Sequence, residues 1–208
     1  MKLLSILFIV FIYGFSSCKD NKEKLPAPPP LIKKEISTNA KVDIPQKGPI
    51  INIIDTVEMK RLVLCVKDSA ATSIGMSTKL NIIYNKKIPD AIKAGKLKIV
   101  GQPMAWYKTQ KAPFFFEAGI PVDKMPAKML KGFYLKKTGG DSAFVAHFFG
   151  PNVLSNVGYD AITDMLKERN KKKAAPAYEI YVNNPFELKA IKLDAYKQQT
   201  DIVMPYKK

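Results

Sequence analysis

At 208 residues with 47% apolar side chains, the chain can bury one sizeable core or two small ones, and global disorder is excluded. Thirty-four Lys and Arg against 18 Asp and Glu give a formal net charge of +16, a sign that suits nucleic acid or an anionic membrane. The lysines are scattered in twos and threes, the longest run being Lys171 to Lys173. No zinc-finger, helix-turn-helix or RNA-recognition signature accompanies them, so a basic solvated surface is expected and no nucleic-acid partner.

The first 17 residues, MKLLSILFIVFIYGFSS, carry one basic residue, an apolar run from Leu3 to Phe15 and small residues leading into Cys18. This is the pattern of a secretory signal, and its apolar run falls short of the roughly 20 residues that a spanning helix needs. The ending FSSC resembles a bacterial lipobox, which implies a lipidated Cys18 at the mature N-terminus and a membrane-anchored protein of the bacterial cell envelope. Residues 18 to 49 are charged and proline-rich, including KLPAPPPLIKK and VDIPQKGP, and have no apolar periodicity. They read as a semi-rigid spacer between the anchor and a domain over residues 50 to 208.

Within that domain, IINIIDTVEMKRLVLCVKDSA is rich in β-branched residues and strand-like. TSIGMSTKLNIIYNKKIPDAIKAG follows with helical spacing through Ile74, Leu80, Ile83 and Tyr84, ending near Gly95. Two strands come next, KIVGQPMAWYKTQ and PFFFEAGIPVDK, with a turn at Lys111 to Pro113 between them. The order then recurs. KGFYLKKTGGDSAFVAHFFGP reads as a strand pair about a Gly139-Gly140 turn, and NVLSNVGYDAITDMLKERNKKK as a helix with Val153, Val157, Ala161 and Met165 along its apolar stripe. PAYEIYVNN and TDIVMPYKK supply two last strands. The recurrence predicts an internal duplication, in which Tyr107 corresponds to Tyr181 and Ala105 to Glu179.

The segments GQPMAWY, FFFEAGIPV, GGDSAFVAHFFGP and PAYEIYVNNP followed by TDIVMPYK resemble, in order and spacing, the GyrI-like small-molecule-binding domain, the effector-binding domain of AraC-type and multidrug-responsive regulators. The resemblance spans residues 55 to 207. It implies an α+β fold of duplicated β-α-β-β units with pseudo-twofold symmetry, an antiparallel sheet and two helices. It also implies a ligand cleft between the halves where an acid, here Glu179, meets aromatic side chains. Relatives often carry an N-terminal DNA-binding region, whereas this chain begins with an export signal and spacer, so direct DNA contact is not expected.

Strand alternation sets Glu179 and Tyr181 on one face, with Tyr178, Ile180 and Val182 on the other. A carboxylate among aromatic rings replaces the hydration of a lipophilic cation well. The expected ligand is therefore a small cationic or amphipathic organic molecule, with Glu179 supplying charge and Tyr181 and Tyr107 the walls. Trp106, Phe149 and Tyr159 are further ligand-binding candidates, and Glu117 a second acid. A rival reading is a hydrolase of a reactive small molecule, with Glu179 as general base. A third is haem or tetrapyrrole binding of the SOUL type, which shares the architecture. No cofactor or metal is expected. Cys65 lies in an apolar strand-like run as a buried thiol, and His147, the single histidine, is expected to be satisfied by local hydrogen bonds.

Overall fold

The computed structural model describes residues 48–109, 111–186 and 193–207. The proposed signal peptide, Cys18 and all but the last two residues of the spacer lie outside the described residues. The described residues form nine strands and two helical regions, in the order β1 (Ile50–Val57), β2 (Arg61–Ala70), α1 (Ser73–Ile82) continuing into α2 (Ile88–Ala94), β3 (Met104–Tyr107), β4 (Phe114–Pro121), β5 (Tyr134–Thr138), β6 (Ser142–Phe149), α3 (Ser155–Glu168), β7 (Lys172–Lys173), β8 (Tyr178–Tyr181) and β9 (Gln199–Lys207). Among the described residues no helix is long and apolar enough to cross a membrane.

The sheet is antiparallel and curled, in the order β1-β6-β9-β8-β3-β4-β2-β5, with β7 added on β9. Exchanging β1 with β5, β2 with β6, β3 with β8 and β4 with β9 reproduces the same order read backwards. This is the pseudo-twofold symmetry that the duplication implies, and its centre lies at the β3–β8 seam. There Met104 faces Ile180 and Ala105 faces Glu179.

Besides its β-α-β-β unit, and the short β7 in the second half, each half has a leading strand, β1 or β5, that crosses to the other half. β1 pairs with β6, and β5 pairs with β2. The expected strand pair about Gly139-Gly140 is therefore corrected: the turn is present, but β5 and β6 go to opposite ends of the sheet. The connection after β1 and the connection after β5 bond to each other instead, Gly140 N to Glu58 O at 2.6 Å and Glu58 N to Asp141 O at 3.1 Å. Gly139 turns the chain there at φ +82°, where a side chain would meet the Met59 carbonyl.

Helix α1 starts at Thr72, whose hydroxyl accepts the Gly75 amide at 3.1 Å. A π-helical turn, Ile83–Lys87, precedes Pro89. That widened turn accommodates a residue that lacks an amide hydrogen and clashes with the carbonyl four residues back, so the helix carries on through it. Leu80, Ile83, Tyr84 and Ile88 pack this first helical region on Phe116 and Ile120 of β4, while Ile162 and Leu166 pack α3 on Phe148 and Ile202. Each fully buried Ile or Leu of this kind contributes about 1.5–3 kcal/mol.

The expected apolar stripe of α3 is also corrected. Val153 and Val157 are exposed, and the buried line is Gly158, Ile162 and Leu166. Gly158 sets that orientation, because a Cβ there would lie 2.5 Å from Ile202 Cδ1; the helix approaches the sheet on its glycine side. Ile74, placed on the first helix's apolar stripe by its spacing, is likewise exposed. The opposite face of the sheet curls about a third cluster that includes Val63, Cys65, Trp106, Tyr178, Val145 and Val203. Burial pushes the Cys65 thiol up to about 12, so it packs as an inert hydrophobe.

Candidate functional site

Both helices lie on one face of the sheet, and a cavity of about 610 Å³ opens between their N-terminal ends over the central strands. Met76 and Leu80 come from α1, Ser155 and Tyr159 from α3, Tyr107 from β3, Glu179 and Tyr181 from β8, and Phe186 from the loop beyond it. Alternation along β8 produces this arrangement. Glu179 and Tyr181 turn to the helices, while Tyr178 and Ile180 join the cluster on the other face. The equivalent tyrosines of the two halves meet at the seam, Tyr107 Oη to Tyr181 Oη at 2.5 Å. Ala105 contributes only a methyl group where the second half has its acid.

Glu179 is 4% exposed, and its Oε1 accepts the Tyr159 hydroxyl at 3.2 Å. The hydroxyls of Tyr181 and Ser155, which line the same cavity, also favour the charged form of the carboxyl group. Among the described residues no lysine, arginine or histidine forms an ion pair with it. Burial therefore dominates and raises its pKa from 4.5 to about 7, with the three hydroxyls offsetting part of the cost of the charge.

Glu117 behaves oppositely. Burial raises it too, but the Lys136 ammonium in contact with it, helped by Tyr134 and Lys67, carries its carboxyl below the usual range. Burial, and then the negative charge of Glu179, hold the hydroxyls of Tyr159 and Tyr107 well above the ordinary phenol value, and the same two causes act on Tyr181. All three remain proton donors. Behind them Tyr84 donates to the Met104 carbonyl at 2.7 Å and meets the Tyr181 ring edge-on at 6.0 Å.

Of the residues singled out from sequence, Glu179, Tyr181, Tyr107 and Tyr159 come together in this cavity. Trp106 does not: it lies on the opposite face, 5.4 Å from the Tyr178 ring, with Lys136 Nζ 4.2 Å from its own ring. Phe149 ends β6 opposite Ile50 and Gln199 and is not among the lining residues. Glu117 shares the Trp106 side of the sheet. His147 is also outside the cavity, its Nδ1 2.7 Å from Asp201 Oδ1. Among the described residues no group of three or more His, Cys, Asp or Glu is placed to hold a metal ion.

Ser155, Met76 and Phe186 were missed. Phe186 had a signal in the sequence: NNP before it makes a turn in which Asn184 Oδ1 accepts the Phe186 amide at 3.1 Å, bringing the ring within 5.5 Å of Tyr181. Ser155 and Met76 had none beyond their places near helix starts.

No family model matches the chain, and no curated protein matches it. Solved structures do. The C-terminal domain of EcmrR is 12% identical with a TM-score of 0.61, the match covering 77% of this chain and 98% of that domain. EcmrR in its complex with DNA gives 13% and 0.62, and there the match covers 77% of this chain and only 58% of the EcmrR chain. An uncharacterised conserved protein from Listeria innocua is 12% identical with a TM-score of 0.54, over 75% of this chain and 92% of its own. At such identities the likeness is one of fold: an α+β domain with a curled antiparallel sheet and two helical regions, in agreement with the GyrI-like architecture that the sequence motifs imply.

Proposed function

We propose that this chain is a non-catalytic binding module that takes up a small organic cation with an apolar body between its two halves. The observation that carries this reading is Glu179, a buried carboxyl group inside a cavity of about 610 Å³ with hydroxyl neighbours and, among the described residues, no cationic partner. A buried carboxylate without a counter-ion is costly, and a ligand that brings a positive charge removes that cost on binding. Met76, Leu80, Phe114 and Phe186 supply apolar wall for the rest of the molecule. The same reading places the domain in the bacterial envelope, tethered through a lipidated Cys18 and the proline-rich spacer, with no direct DNA contact.

A second reading is supported by one observation. A carboxyl group with a pKa of about 7, beside the Tyr159 hydroxyl, is poised as a general base, which suits hydrolysis of a reactive small molecule. Mass spectrometry of compounds that co-purify with the full-length protein and its Glu179→Gln variant tests the proposal. Binding predicts a basic organic molecule that is recovered with the parent and lost from the variant. Recovery of neutral or anionic compounds alone, equally with both proteins, would overturn it, and conversion of the recovered compound on incubation would favour the hydrolase.

A further inference from the structure

Part of the apolar pattern of the two helices has no place in the core. Ile74, Val153 and Val157 are exposed, and among the described residues Val153 at 85% and Ile74 at 80% are the two most exposed large hydrophobic side chains. Both stand at the mouth of the cavity. Val153 lines it beside Asn152, Ile74 follows the lining residue Ser73, and Met76 carries the apolar edge inward. Apolar side chains gathered at the rim of one opening, and not scattered singly, mark a contact surface.

The exposed charge at this rim is positive. Glu179 is the only acid among the lining residues and lies buried inside, whereas Lys111 lines the cavity exposed and, among the described residues, forms no ion pair. Neither α1 nor α3 has an acidic side chain in its first turn, where an acid is stabilising, so the positive ends of both helix dipoles open at the mouth uncompensated. The chain also enters the domain here: Pro49 packs against Gly150, where a Cβ would stand 2.9 Å from the proline Cβ, three residues before Val153. On the envelope reading, the tether from Cys18 therefore joins the domain on the side of the mouth.

We infer that the mouth of the cavity docks on an anionic phospholipid surface, with Ile74 and Val153 entering the interface and Lys111 facing the headgroups. Docking of this kind combines buried apolar area with electrostatic attraction to anionic lipid, and this rim supplies both. A docked mouth takes an organic cation with an apolar body directly from the lipid interface, without a passage through water. That consequence rests on the binding reading above, whereas the docking surface itself does not.

The test is hydrogen–deuterium exchange of the full-length protein with vesicles of equal parts phosphatidylcholine and phosphatidylglycerol and with vesicles of phosphatidylcholine alone. It is paired with calorimetric titration in solution at about pH 8 with diphenylpropylammonium and the neutral diphenylpropanol. The anionic vesicles should slow exchange over residues 73–77 and 152–157 by at least about fivefold, and by more than phosphatidylcholine alone. The loop 126–133, which packs beside Gly95 at the opposite end of the first helical region, should be unchanged. Ile74→Ser combined with Val153→Ser should remove the protection, and both positions are exposed, so the fold is retained. A tether alone leaves these amides in water, so exchange that vesicles do not alter would overturn the inference even where the protein sediments with them; tighter binding of the ammonium than the alcohol would then leave the cation-binding reading intact. Protection that needs no lipid and grows with protein concentration would overturn it in favour of a second copy of the chain. Protection by anionic vesicles together with equal affinity for the two compounds would uphold the docking surface and remove the cation-binding reading.

Discussion

Replacing Glu179 by Gln should abolish the pH dependence of stability that this residue imposes. The parent carboxyl group has a pKa of about 7 in the folded protein against an ordinary 4.5, so between those values the folded state holds a proton that the unfolded chain has released. Its stabilising contribution is complete below about pH 4.5 and is lost as the pH rises through about 7. At about 1.4 kcal/mol for each tenfold change, the parent should lose about 2.5 kcal/mol from this group between pH 5 and pH 8. For a domain of this size that is about 5–10 °C in Tm. The amide has nearly the same shape and does not titrate. Asp68 and Glu117 are held below their usual range, so they act in the opposite direction, losing stability as the pH falls, but they are common to both proteins and cancel in the difference. Urea unfolding of parent and variant at the two pH values gives the quantity directly. Parallel curves for the two proteins would refute the burial of an uncompensated carboxyl group at this position.

The same protonation governs binding: affinity for diphenylpropylammonium should be level above about pH 8 and fall by up to about tenfold per pH unit below about pH 7, and an unchanged affinity down to about pH 5 would contradict it. Gly119→Ala should destabilise the domain by about 1–3 kcal/mol in denaturant unfolding, because a Cβ there would stand 2.6 Å from both Cys65 Sγ and Val63 Cγ1 with Leu64 O at 3.0 Å. A neutral result would mean that β2 and β4 can part at little cost. For the envelope proposal, Cys18→Ala should abolish incorporation of labelled fatty acid, and a variant labelled as strongly as the parent would rule out lipidation at Cys18.

What the sequence revealed of this molecule was its local pattern. Alternation placed Glu179 with Tyr181 and opposite Tyr178, and the duplicated strands aligned Ala105 with Glu179, residues that face each other across the seam. Trp106 shows the limit of that logic. Its alternation relative to Tyr107 was readable, but whether the second face held ligand or core depended on how the sheet curls, which is a long-range property. The exchange of β1 and β5 between halves was hidden for the same reason: a double glycine after β5 signals a turn, and only the bonds between the two connections show that no hairpin closes. In α3 the valines made the stronger helical stripe on paper. Gly158 decided the orientation through close approach, a contribution that hydrophobicity does not register. Ser155 lines the cavity with Glu179 from a helix start, a juxtaposition of distant parts of the chain that spacing does not encode.

The central claim, that Glu179 makes this cavity a site for organic cations, is tested most directly by calorimetric titration of parent and Glu179→Gln with diphenylpropylammonium and diphenylpropanol at about pH 8. The substitution should weaken binding of the ammonium by about tenfold or more and leave that of the alcohol within about twofold. Equal losses for the two compounds, or no loss for either, would contradict it.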